Sequence, residues 1–199
     1  MSLEPTLDGT YWRQRYQMNT LGWDIGYANS ALLAPLELLD RSTRILVPGA
    51  GRAWEVERLF GWGFADVFAL DVAPEARDAF LKRVPEFPEE QYLIGDFFDH
   101  IGTYDRIVEQ TFFCALRPEL RRDYGIKMGE LLSSGGILSG LLFDFPLDGH
   151  GPPFGGSQEE YRELFAAQPE VWAGFLVEKA TEGIPQRLGR EFRFEARRL

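Results

Sequence analysis

The sequence predicts an α/β fold: a mainly parallel sheet of seven strands, helices on both faces, and an antiparallel hairpin at its C-terminal end. Three observations predict it. Apolar runs of strand length alternate with helix-like segments, the grammar of βαβ units. One such run, Ile45-Leu46-Val47-Pro48, turns through Gly49-Ala50-Gly51 into a helical segment. The last two alternating runs, 170–178 and 190–197, stand too close for a helical crossover and so pair antiparallel.

Taken in order, residues 1–40 fit no strand and hold two helical stretches around Thr20-Leu21-Gly22-Trp23-Asp24, a cap over the carboxyl edge of the sheet. Strands are expected at 44–48, 67–71, 91–94, 105–109 and 136–143, with helices at 53–61, 74–84 and 118–132 between them. The last helix carries Leu120, Tyr124, Met128, Leu131 and Leu132 on one face and stops at Ser133-Ser134-Gly135-Gly136. A loop rich in glycine and proline, 145–156, leads to a helix opened by a Ser157/Glu160 capping box. All 199 residues read as a single domain, long enough to bury about 70% of the surface of the unfolded chain.

Composition narrows the function. With 45% hydrophobic and 26% charged residues the chain reads as a soluble globular protein, and no apolar run approaches the roughly 20 residues of a membrane span. The start, Met1-Ser2-Leu3-Glu4-Pro5, lacks the plan of a secretory signal, and the single cysteine, Cys114, excludes a disulfide framework; both point to the cytoplasm. A net charge of -10 argues against a nucleic-acid partner. Arg117, Arg121 and Arg122 are interleaved with Glu119 and Asp123 and read as a solvated face. With no long apolar surface pattern, a monomer is expected, and no spacing of His, Cys and carboxylates indicates a metal.

In an open parallel sheet the ligand sits outside the carboxyl ends of the strands. Those ends deliver Gly49-Ala50-Gly51, Asp71, Gly95-Asp96-Phe97-Phe98 and Glu109-Gln110-Thr111-Phe112-Phe113. Asp71, twenty residues past Gly51, can accept from a ribose diol or cap the helix beginning near Pro74. Asp96 followed by two aromatics suits an adenine, or caps a turn. Trp54 stands where a dinucleotide site places its third glycine, which argues against a pyrophosphate and for a cofactor such as S-adenosylmethionine. A nicotinamide-dependent oxidoreductase would call for a further glycine there and a sixth parallel strand.

These motifs carry a specific resemblance. Leu46-Val47-Pro48-Gly49-Ala50-Gly51-Arg52-Ala53, Gly95-Asp96-Phe97-Phe98, 109–116 with its Thr111-Phe112-Phe113-Cys114-Ala115, and Gly151-Pro152-Pro153-Phe154 are similar to the thiopurine methyltransferase superfamily, most of all to its halide and thiol methyltransferase branch. Trp12, Tyr16 and Trp23-Asp24-Ile25-Gly26 resemble that branch's cap. The resemblance implies a Rossmann-like class I methyltransferase using S-adenosylmethionine, with cofactor contacts at Trp12, Tyr16, Trp23, Gly49, Ala50, Gly51, Asp71, Val72, Asp96, Phe97 and Glu109. On the acceptor side it implies Gln110, Phe112, Phe113 and Phe154 as substrate contacts, with Tyr161 to orient the acceptor and His150 to deprotonate it, although His150 also suits an exposed loop. Where the thiopurine branch has Asp-Arg this chain has Glu109-Gln110, so the pocket is expected to lack a fixed positive charge. The expected acceptor is a small soft nucleophile, a thiol or related sulfur compound. A halide, a chalcogen oxyanion or a non-catalytic binding module are the alternatives. Cys114 reads as a small buried side chain, since nothing cationic adjoins it in sequence.

Overall fold

The structure, a computed structural model, describes residues 6–199; Met1–Pro5, on which the leaderless reading rests, lie outside the described residues. The strands are β1 (Ile45–Pro48), β2 (Val67–Asp71), β3 (Tyr92–Ile94), β4 (Tyr104–Gln110), β5 (Leu132–Phe143), β6 (Trp172–Lys179) and β7 (Glu191–Arg198). The helices are α1 (Gly9–Gln17), α2 (Ser30–Leu33), α3 (Trp54–Gly61), α4 (Pro74–Arg83), α5 (Arg121–Leu131) and α6 (Gln158–Ala166), joined in places by single 3-10 turns.

One seven-stranded sheet runs in the order β3-β2-β1-β4-β5-β7-β6. The first five strands are parallel, and β7 pairs antiparallel with both β5 and β6. The connections from β1 step outward through β2 to β3, then return to place β4 on the other side of β1. The strand order therefore reverses between β1 and β4, where the loops at their carboxyl ends part and leave a crevice.

Each face of the sheet buries its own core. On one, α3 lays Val56 and Leu59, and α4 lays Ala76 and Phe80, over Ile45, Val47, Val67 and Ala69. On the other, Tyr124, Met128 and Leu131 of α5 and Tyr161 and Phe165 of α6 cover Leu46, Ile107, Leu138 and Phe194. Every residue of β1 is buried, as a strand covered on both faces requires, and each such Leu or Ile stabilises the fold by about 1.5–3 kcal/mol.

Two local expectations need correcting. The helix ending in 118–132 stops at Leu131, and Leu132 already opens β5, because Ser133-Ser134-Gly135-Gly136 forms an irregularity inside the strand: the register passes from Tyr104↔Leu132 to Arg106↔Ile137. Leu120 falls in the preceding 3-10 turn and is exposed. Arg121 is buried, its Nη2 donating to Gly155 O at 2.7 Å and its guanidinium lying 4.6 Å from the Phe113 ring centre, so it ties α5 to the loop before α6 and is no part of a solvated face. Among the described residues no helix is long and apolar enough to cross a membrane.

Candidate active site

The glycine turn after β1 is the pivot of the crevice. Gly49 and Gly51 have φ of 57° and 55°. A Cβ on Gly49 would lie 2.4 Å from Phe112 Cδ2, so the close approach of the β4 loop demands glycine as much as the turn does. Gly51 N donates to Asp71 Oδ2 at 2.8 Å and Ala73 N donates to Asp71 Oδ1 at 2.9 Å, fixing the carboxylate at the end of β2 against both the turn and the start of α4. Burial raises the Asp71 pKa, against the lowering effect of these N–H groups.

α1 and the loop after it meet this pivot, with Tyr16 and Trp23 beside Gly51. Asp8 accepts from Tyr11 N at 3.0 Å and starts α1, whose Arg13 and Gln17 reach Glu75 on α4. Trp23 packs edge-on against Trp12 and Tyr16, with ring centres 5.4 and 5.9 Å apart. Burial first, then the neighbouring Asp71, pushes the Tyr16 hydroxyl up.

A cavity of about 700 Å³ opens here. Trp12, Tyr16, Trp23, Gly49, Asp71 and Val72 line it, as do Asp96, Phe97 and Phe112. Asp96 also accepts from Phe98 N at 2.8 Å, so it shapes its own turn while facing the cavity. The sequence reading therefore assembles most of one wall.

Other expected residues turn elsewhere. Ala50, Gly51 and Gln110 line a small recess that adjoins the cavity, sharing Trp23, Gly49 and Thr111 with it. Glu109 is fully buried and lines neither space: its Oε2 accepts from Phe112 N at 3.0 Å and Phe113 N at 3.2 Å, so it braces the loop. Phe113 and Phe154 are core residues, the latter anchored by its N–H to Cys114 O at 2.8 Å. Tyr161 is buried and its hydroxyl donates to Phe143 O at 2.7 Å, a tie between α6 and β5. His150 is exposed and outside the cavity.

The structure adds residues that the sequence reading missed. Phe143 at the end of β5, Phe145 beyond it, and Cys114 and Leu116 after β4 complete the apolar wall beside Thr111 and Pro152-Pro153, which the sequence motifs already name. Arg187 and Arg190 join it from the β6–β7 loop, so the expectation of a pocket without fixed positive charge is wrong. A signal existed: β5 ends at Phe143 opposite Glu191 of β7, so a hairpin beside β5 must turn at the carboxyl edge, over the site. Arg187 Nη2 donates to Trp23 O at 3.2 Å, while its Nη1 stands 3.6 Å from Glu191 Oε1 and is without a hydrogen-bond partner. Burial, then Glu109, raises the pKa of Cys114 and keeps its thiol neutral. Among the described residues no cluster of His, Cys and carboxylates could hold a metal.

The chain as a whole has relatives among known proteins. The family model for thiopurine S-methyltransferase matches residues 7–181. The chain is 29% identical over 159 residues to a probable thiol methyltransferase of Arabidopsis thaliana, covering 77% of this chain and 70% of that one. It is 28% identical over 200 residues to a thiocyanate methyltransferase of the same plant, covering 95% and 85%. Among solved structures, the Burkholderia thailandensis 1,6-didemethyltoxoflavin-N1-methyltransferase, with its substrate and S-adenosylhomocysteine bound, shares the fold with a TM-score of 0.71 at 16% identity, covering 100% of this chain and 93% of that one.

Proposed function

The chain belongs to the thiopurine S-methyltransferase family and is an S-adenosylmethionine-dependent methyltransferase, and we propose that its acceptor is a small soft nucleophile, a thiol or related sulfur compound, taken as its anion. The observation that carries this is one cavity lined both by the sheet-edge residues suited to the donor and by an apolar wall holding two arginines.

The residues present fit the donor. Asp71 lines the cavity, and beyond the bonds it accepts from Gly51 N and Ala73 N its carboxylate keeps acceptor capacity for a diol. Asp96 and Phe97 offer an acceptor and a ring face to a base carrying an exocyclic amine, and Trp12, Tyr16 and Trp23 offer aromatic faces to a cation. When bound, S-adenosylmethionine supplies an electrophilic methyl carbon that a nucleophile takes by in-line displacement.

The rest of the work is positional. Holding two reactants in line can supply effective molarities on the order of 10⁵–10⁸ M. Phe143, Phe145, Pro152 and Pro153 give the acceptor side an apolar wall, and Arg187 and Arg190 line it with positive charge, that of Arg187 offset in part by Glu191 3.6 Å from its Nη1, which favours an anion. No histidine lines the cavity. A thiol with a pKa near 8.5 ionises in part without a base, so none is needed. The thiol and thiocyanate methyltransferases among the relatives support a sulfur acceptor. The same arginines suit a halide or chalcogen oxyanion, which is the second reading. Release of S-adenosylhomocysteine measured against a panel of thiols, halides and chalcogen oxyanions tests both; turnover of none of them would refute the acceptor class.

A further inference from the structure

Glu109 is a fully buried carboxylate that lines neither the cavity nor the recess, yet burying such a group is costly unless it is well bonded. The fold makes room for it. Gly140 lies directly across from it on β5, and a Cβ there would fall 3.0 Å from Glu109 Cγ and 2.6 Å from Glu109 O. Its Oε2 then gathers the N–H groups of Phe112 and Phe113, while Oε1 has no partner.

What those two N–H groups hold is the junction of the site. Thr111 is left-handed, with φ 62°, a costly conformation for a β-branched residue. That kink brings Phe112 against Gly49 and 5.0 Å from Phe97, ring centre to ring centre, on the donor side. Two residues further, Cys114 O receives Phe154 N and so holds the Pro152-Pro153 loop on the acceptor side.

Resting on the methyltransferase reading above, we infer that Glu109 is a positioning residue: its ionised carboxylate locks the 111–113 turn against the glycine turn and thereby sets the affinity for the donor. The ionised form grips both N–H groups by charge-assisted bonds, and the neutral form carries a proton on the unpartnered oxygen. Burial pushes the carboxyl up to about 7, opposed by Phe113 and Phe112 N–H and reinforced by Glu191 on β7. The other titratable groups that share its field are Cys114, Tyr124 on α5 and Tyr161 on α6, all held neutral by burial, and Glu191 is in turn faced by Arg187. The grip is therefore switched within the physiological range.

The test is calorimetric binding of S-adenosylhomocysteine near pH 8 and near pH 6 to wild type, Glu109→Gln and Glu109→Ala, with circular dichroism as the check of folding. With about one tenth of the carboxyl ionised near pH 6, wild type should bind about tenfold more weakly there. Glu109→Gln, which keeps an oxygen acceptor and cannot titrate, should bind equally at both pH values. Folded Glu109→Ala should bind weakly at both. A pH step in Glu109→Gln equal to that of wild type, no step in wild type, or wild-type affinity in folded Glu109→Ala would each overturn the inference. If Glu109→Ala does not fold, the comparison of Glu109→Gln with wild type decides alone. Failure of wild type to bind at either pH would overturn the donor assignment instead.

Discussion

Trp54 Nε1 donates to Asp24 Oδ1 at 2.8 Å, so the residue that stands in place of a third glycine ties the cap loop to the first turn of α3. Asp24 also faces Arg52 Nε at 3.3 Å and accepts from Gly26 N at 2.9 Å, and the Arg83 guanidinium lies 3.7 Å from the Trp54 ring centre. Trp54 is thus more than a residue too large for a pyrophosphate. It holds Trp23, one residue before Asp24, over the cavity.

Trp54→Phe keeps an aromatic face, on a smaller ring, and removes the donor. Since a hydrogen bond of this kind contributes about 0.5–1.5 kcal/mol to stability, the variant should lose about that much stability and, with the cap loop less firmly held, bind S-adenosylhomocysteine more weakly by up to about tenfold. Calorimetry decides it, and an unchanged dissociation constant would detach the cap anchor from donor binding.

Asp71 bears on the donor more directly. Asp71→Ala should weaken donor binding by about 1.5–3 kcal/mol, the range for hydrogen bonds to a charged group. Because Asp71 also holds Gly51 N and Ala73 N, Asp71→Asn is the companion variant: it keeps one oxygen acceptor for the backbone and should lose less. NAD should bind neither wild type nor variants. Tight NAD binding without a response to S-adenosylhomocysteine would reject the donor.

Glu109 makes stability depend on pH with a definite sign. Its folded pKa of about 7 lies above the ordinary 4.5, so the folded chain keeps a proton that the unfolded chain releases between those values. The associated stability is complete below the unfolded pKa and is lost as pH rises through the folded one. Linkage puts the change at about 3 kcal/mol. Urea unfolding near pH 4 and near pH 8 should show Glu109→Gln gaining on wild type by about that amount across the interval. A constant difference between the two proteins would place the Glu109 pKa near its unfolded value.

The strands and the donor wall were legible for a common reason. Ile45-Leu46-Val47 has to be buried wherever it goes, and a parallel strand carries its next residues, Gly49 and Asp71 among them, to the carboxyl edge by chain direction alone. The acceptor wall was not legible, because loop side chains choose their direction by packing. Phe112 faces the cavity while its neighbour Phe113 enters the core beside Tyr124, 5.0 Å between ring centres. Tyr161 is drawn inward by the carbonyl of Phe143, and Glu109 and Gln110 at the end of β4 both miss the cavity. Arg187 and Arg190 arrive from a loop distant in sequence, and pairing β7 beside β5 was the step needed to see them.

Those arginines change what the acceptor should be. Gln110 lines the small recess beside the cavity, whereas Arg187 lines the cavity itself with its side chain only 13% exposed, so the charge of the acceptor wall is set by the arginines and not by position 110. A carboxylated thiophenol should therefore be accepted alongside hydrosulfide or a short alkyl thiol, contrary to an argument from Gln110 alone. For each thiol kcat/KM should rise with pH toward the thiol's own pKa, and for iodide the nucleophile contributes no such rise. Arg187→Gln removes the charge but also the bond to Trp23 O, so donor affinity will fall for every acceptor alike. The informative quantity is the ratio of kcat/KM for carboxylated thiophenol to that for thiophenol, in which the shared loss cancels. Loss of a charged hydrogen bond worth about 1.5–3 kcal/mol should lower this ratio by about 10- to 100-fold. An unchanged ratio would remove Arg187 from acceptor recognition and leave Arg190 and the apolar wall of Phe143, Phe145 and Pro152-Pro153 to select what enters.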